Sequence, residues 1–254
     1  MSKYYLLCIA LFVCLSCDKE KLFDGPDYFT EDFENYDAFE ELFADDDQFW
    51  SFSQLTRSGN QITVDTTHTF SGQRALKFIA DPTGDQGASK ASIVKQKMAF
   101  WEGETVRLTA HYFIAGNESL EWLFLMDLEE QTAIGAGPGM RLALVDDALR
   151  VEYKFNERDI LQTIDPAVPF PRNEWVAIVW EVELSTNDDA SVRIWQNSEL
   201  ILESYDHKTL PTDILYFQQG TKGMYSSCEI GITANSHDNA LTIWVDDVTF
   251  ERSK

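Results

Sequence analysis

The sequence predicts an all-β protein, an antiparallel β-sandwich of jelly-roll type. Three observations carry this. Short runs alternating between apolar and polar side chains follow one another along most of the chain's 254 residues, as half-buried strands do. The turns between them are rich in Asp, Asn and Gly, and helical periodicity is almost absent. Two alternating runs near the end, Cys228 to Ala234 and Leu241 to Phe250, suit antiparallel strands with one face buried and one face wet.

The elements follow in order. Lys3 precedes an apolar run, Tyr4 to Ser16, too short to span a bilayer, and then comes Cys17. That pattern reads as an export signal. The cysteine directly after Leu15-Ser16 resembles a bacterial lipobox, although Cys14 stands where Leu is usual. The expected layout is a signal peptide over 1–16, an acylated tether over 17–30 and one sandwich domain over 31–254. Asp18, Lys19 and Glu20 resemble the acidic surface-export signals of Bacteroidota lipoproteins. Together these place the protein outside the cytoplasm, held at the outer membrane by its lipid and exposed at the cell surface. With Cys17 acylated and the signal removed, Cys228 is the one cysteine left, so no intramolecular disulfide forms.

Thr30 to Tyr36 opens the sandwich, and residues 37–47 make a short helix or an acidic loop. Gln61–Val64 and Ala75–Ile79 are strands on either side of the Ser71-Gly72 turn, and Ser92–Lys95 is another. Thr105 to Ile114 alternates with Val106, Leu108, Ala110 and Tyr112 on one side, and Arg107, Thr109, His111 and Phe113 on the other. The same rule puts Trp122, Phe124, Met126 and Leu128 on one face and Leu123, Leu125, Asp127 and Glu129 on the opposite one. A hairpin turns at Asp146-Asp147, and a second joins the Val176–Leu184 strand to Val192 and Ile194.

Composition narrows the function. There are 43 acidic against 20 basic residues, a net charge of −23, which repels phosphate backbones and excludes nucleic acid as a partner. Asp127 and Glu129 lie two apart on one strand and share a face, as paired carboxylates at a sugar site do. His111 shares a strand face with Arg107. Trp175, Trp195 and Trp244 alternate with aliphatic residues and point outward, so Trp195 is a candidate sugar-stacking platform. Cys228 alternates with Ile230 and Ile232 and reads as a small core residue.

Three segments in order carry a family resemblance: Asn173 to Trp180, Val192 to Asn197, and Tyr216-Phe217 through Gly223-Met224-Tyr225. With them the chain resembles the concanavalin-like jelly-roll polysaccharide lyases, the alginate, glucuronan and heparin-lyase-I-like group. The resemblance implies a polysaccharide partner on the concave sheet face. It also implies removal of the proton α to a uronate carboxylate by a base, with cationic groups neutralising the carboxylate. Tyr225 stands where the family's C-terminal tyrosine stands, and Lys222 lies near its lysine. That assembles His111, Arg107 and Tyr225 as catalytic candidates, and Trp195, Lys222, Asp127 and Glu129 as substrate-binding ones. The chain departs from the pattern twice. Met126-Asp127-Leu128-Glu129 occupies the region of the family's Gln-x-His strand, and Ser89-Lys90-Ala91-Ser92 that of its Arg-x-Glu element. Glycan-handling jelly rolls with this Asp-Phe-Glu and Val-Asp-Asp-Val bracket often hold a structural Ca²⁺, which by position falls to Glu34 and Asp247. Three readings stand: a glycan-binding surface lipoprotein, a divergent lyase acting by β-elimination, and a structural or adhesion component without a glycan.

Overall fold

Period-two patterning fixes the architecture because each strand must hide its apolar side against a second sheet. The computed structural model describes residues 25–43, 50–83, 87–118, 120–132, 135–155, 157–211, 224–235 and 238–254. Strands are numbered in chain order. One sheet contains β1 (Tyr28–Glu31), β3 (Gln61–Asp65), β4 (Ala75–Ala80), β6 (Thr105–Ile114), β10 (Trp175–Glu183), β11 (Ala190–Gln196), β12 (Glu199–His207) and β14 (Leu241–Ser253). The other contains β2 (Phe52–Leu55), β5 (Ser89–Trp101), β7 (Trp122–Thr132), β8 (Gly135–Val145), β9 (Ala148–Tyr153) and β13 (Met224–Asn235).

The eight-stranded sheet runs β12–β11–β10–β6–β14–β4–β3, with β1 added along β14. The six-stranded sheet runs β2–β5–β13–β7–β8–β9. Every pairing is antiparallel, so the fold is the expected jelly-roll sandwich. The first and last strands do pair, Phe29 opposite Phe250. Because β1 begins at Tyr28, the domain boundary drawn at residue 31 falls inside the first strand. Residues 39–43 form a short 3-10 helix. The signal segment, Cys17, Lys222 and most of the Tyr216–Tyr225 motif lie outside the described residues.

The core lies between the sheets. Val106, Leu108, Ala110 and Tyr112 of β6 and Ile178 and Trp180 of β10 meet Met126, Leu128, Leu142 and Ile230 from the other sheet, all essentially inaccessible. Burying each large apolar side chain contributes roughly 1.5–3 kcal/mol. Gly231 marks a close approach of the two sheets, for an added Cβ would sit 2.6 Å from the Phe78 ring. Asp146 and Asp147 take φ of 50° and 61°, the left-handed pair that a tight two-residue hairpin requires, and β8 and β9 meet there as expected.

One expectation of facing is corrected. Strict alternation along β7 would set Trp122 and Phe124 opposite to Asp127. In the structure Phe124 pairs with Ala143 and Met126 with Leu142, so Leu125 is an extra residue in a β-bulge. The Leu125 carbonyl accepts a 2.7 Å hydrogen bond from the Tyr112 hydroxyl across the core. The bulge flips the pattern, and Trp122 and Phe124 end on the same outer face as Asp127 and Glu129.

Candidate functional site

The outer face of the six-stranded sheet gathers charge that the core cannot hold. Antiparallel pairing sets Glu229 of β13 opposite Asp127 of β7, which in turn lies opposite Arg141 of β8. Asp127, Glu129 and Glu229 are all buried, with carboxylate oxygens within 4.8 Å of one another. Lys154, just beyond β9, reaches back over the sheet. Its ammonium donates to Asp127 Oδ2 at 2.7 Å and also pairs with Glu129. Arg141 Nε lies 3.9 Å from Asp127 Oδ1, and Thr233 Oγ1 donates to that oxygen at 3.3 Å. On the β5 side, Ser92 Oγ donates to Glu229, and Lys90 Nζ lies 3.8 Å from the same carboxylate.

Burial raises the Glu229 carboxyl above the usual range, and the neighbouring Asp127 charge adds to it; Lys90 and the Ser92 hydroxyl work against the rise. Lys154 holds the neighbouring Asp127 carboxylate. Buried carboxylates thus back a layer of cations, with Lys154 and Arg141 still partly open to solvent. Oxygen donors so close together could also hold a hard cation, although the Lys154 ammonium already lies on two of the three.

The bulge adds an aromatic half to this face. Trp122 and Phe124 are half-buried and stack at 4.6 Å, and the Arg141 guanidinium sits 4.2 Å above the Phe124 ring. Beyond them a cavity of about 380 Å³ opens beside Glu121, Asp146, Arg150 and Glu152.

The expected catalytic group is dispersed. Tyr112 points into the core, so its neighbour His111 points away from the six-stranded sheet, onto the outer face of the other one. There Phe70 stacks on His111 at 3.6 Å, and burial lowers the imidazole's pKa against an opposing effect of Asp247. Arg107 shares that face but pairs with Glu181 at 2.8 Å and covers the Trp195 ring at 5.3 Å. Tyr225 is fully buried, its hydroxyl donating to the Thr209 carbonyl, and burial holds its pKa well up. His111, Arg107 and Tyr225 therefore do not converge, and Trp195 lies on the other sheet from Asp127 and Glu129. The buried Cys228 is free, its thiol pushed up by burial, in keeping with a core role.

The acidic bracket at the chain ends holds a turn. Asp246 Oδ2 accepts the backbone N–H groups of Phe70 and Ser71, at 2.9 and 3.2 Å, and Asp247 Oδ1 accepts the Ser71 hydroxyl at 3.0 Å. Glu34 Oε1 accepts the N–H groups of Gln73 and Arg74, both at 2.8 Å. Glu34 and Asp247 thus grip one loop from two sides. The three-carboxylate group found among the described residues is the one at Asp127, Glu129 and Glu229. Glu229, Arg141, Lys154 and Lys90 were not singled out from the sequence. Glu229 could have been, since it sits between Cys228 and Ile230 and must face outward.

The sequence model of the polysaccharide lyase family matches residues 32–249. The endo-β-1,4-glucuronan lyase from the fungus Trichoderma reesei superposes with a TM-score of 0.64 at 12% identity, covering 88% of this chain and 94% of its own. Cellulose induced protein, Cip1, gives 0.60 at 15% identity, over 89% and 96%. Alginate lyase Aly36B gives 0.56 at 8%, over 89% and 97%. At such identities the likeness establishes the fold. No curated protein matches the sequence.

Proposed function

The chain belongs to the polysaccharide lyase family, and from that premise we propose that it binds a uronate-containing polysaccharide across the outer face of its six-stranded sheet. One observation carries the reading: Lys154 and Arg141 are held at the surface of this face by buried carboxylates. Cations fixed in this way meet sugar carboxylates without losing much side-chain freedom on binding. Asp127 and Glu129, expected to touch substrate, hold these cations in place. The proposal includes anchoring through an acylated Cys17, which rests on the short apolar run before it, and hence a place at the cell surface.

A second reading adds turnover, favoured by the pairing of Asp127, which Lys154 holds, with Glu229, whose carboxyl burial pushes up. In β-elimination Asp127 would take the proton from the carbon next to the uronate carboxyl. The ring double bond forms as the glycosidic C–O bond breaks, and the leaving oxygen takes the Glu229 proton. Affinity electrophoresis in acidic polysaccharides tests binding, and the ultraviolet absorbance of the new conjugated double bond tests elimination. Retardation without absorbance leaves binding alone. Unretarded migration in every acidic polysaccharide overturns both.

A further inference from the structure

We propose that the cavity at the Asp146 end of this sheet face is a subsite for an uncharged sugar unit stacked against Trp122 and Phe124. The inference rests on the reading that the face holds a glycan, and it adds which unit sits where.

The shape comes from the bulge at Leu125. Without it Trp122 and Phe124 would point into the core; with it they stand half-exposed beside Asp127. A pyranose presents CH groups on its flat faces, which lie well on aromatic rings. These rings border the cavity of about 380 Å³, and Arg141, which covers Phe124 and approaches Asp127, links them to the charged half of the face.

Charge selects the occupant. Glu121, Asp146 and Glu152 line the cavity, and Arg150 is the cation among its lining residues. Its guanidinium is already engaged: Nε donates to Glu152 Oε1 at 3.0 Å, and Nη2 lies 3.6 Å from Asp159. A uronate placed here would bring a fourth carboxylate to three others, with the lining cation already engaged. Hydroxyl groups, in contrast, donate readily to carboxylates. The next position along the face, at Arg141 and Lys154, has the opposite character. The ligand that fits both is a mixed glycan, in which uronates are joined to uncharged hexoses or N-acetylhexosamines.

The test uses the full protein in affinity electrophoresis through mixed glycans (hyaluronan, gellan, xanthan) and homopolyuronates (alginate, polygalacturonate). A mixed glycan should retard the wild type more than either homopolyuronate. Trp122→Ala should weaken that retention about tenfold, the loss of one anchoring contact, while retention in homopolyuronates changes little. Glu121→Gln/Glu152→Gln should increase retention in alginate, and this arm decides the matter if Trp122→Ala fails to fold. Homopolyuronates retained as well as every mixed glycan, or no gain in alginate for the double variant, overturn the subsite while leaving glycan binding intact. A wild type that no acidic glycan retards overturns both.

Discussion

Glu229 and Asp127 face each other across the β13–β7 ladder, both on the outer side of the sheet and both buried. Two carboxylates so placed repel unless one is neutral or a cation intervenes. Lys154 is that cation for Asp127 and Glu129. Lys154→Met should therefore cost about 3–5 kcal/mol, the scale of removing one partner from a buried ion pair. Urea unfolding at neutral pH measures it. A loss no greater than that of a surface substitution would show that the lysine is not what neutralises the group.

Glu130 supplies a pH dependence of definite sign. It is buried, neither carboxylate oxygen has a hydrogen-bond partner among the described residues, and burial pushes its pKa up to about 7. The folded form thus holds its proton more tightly than the unfolded chain does. Stability from this source is complete below the ordinary value of 4.5 and is lost as pH rises through about 7. Glu130→Gln, neutral throughout, should flatten the decline by up to about 1.4 kcal/mol per pH unit in that window. Parallel stability curves for variant and wild type between pH 5 and pH 8 would contradict this.

Asp247 is gripped by the Ser71 hydroxyl, and removing it takes away one hydrogen bond at a loop. Asp247→Ala should lower stability by about 0.5–1.5 kcal/mol, by the same amount in calcium and in chelator. A larger loss in calcium would reveal an ion at the chain ends, at the position expected from the sequence.

Cys17→Ser should release the protein from the membrane fraction and abolish labelling by a palmitate analogue, because the lipid is the proposed attachment. Continued sedimentation with membranes would remove the anchor from the account.

The sandwich was legible because alternation is a local property. Val106 to Ile114 and Val176 to Leu184 declare their buried side from residue types alone, and the Asp146-Asp147 hairpin follows from its turn residues. The site was legible only in part. Asp127 and Glu129 stand out as a pair on one strand, but their partners come from β13, β8 and the residue after β9. Glu229, Arg141 and Lys154 meet only once the register is known. The bulge at Leu125 was hidden for a different reason. Trp122-Leu123-Phe124-Leu125-Met126 is apolar on both sides, so no change of phase shows in the pattern. His111 and Tyr225 illustrate the remaining limit: strand patterning gives a residue's side but not its sheet, and these two belong to different sheets.

Which sheet face receives the glycan is decided most directly by two substitutions compared in one affinity-electrophoresis experiment with acidic polysaccharide. Arg141 lies on the six-stranded sheet over Phe124, and Trp195 lies on the eight-stranded sheet under Arg107. Arg141→Ala should weaken retention about tenfold, and Trp195→Ala should leave it at the wild-type level. Retention lost with Trp195→Ala and kept with Arg141→Ala would place the glycan on the opposite face and contradict the account.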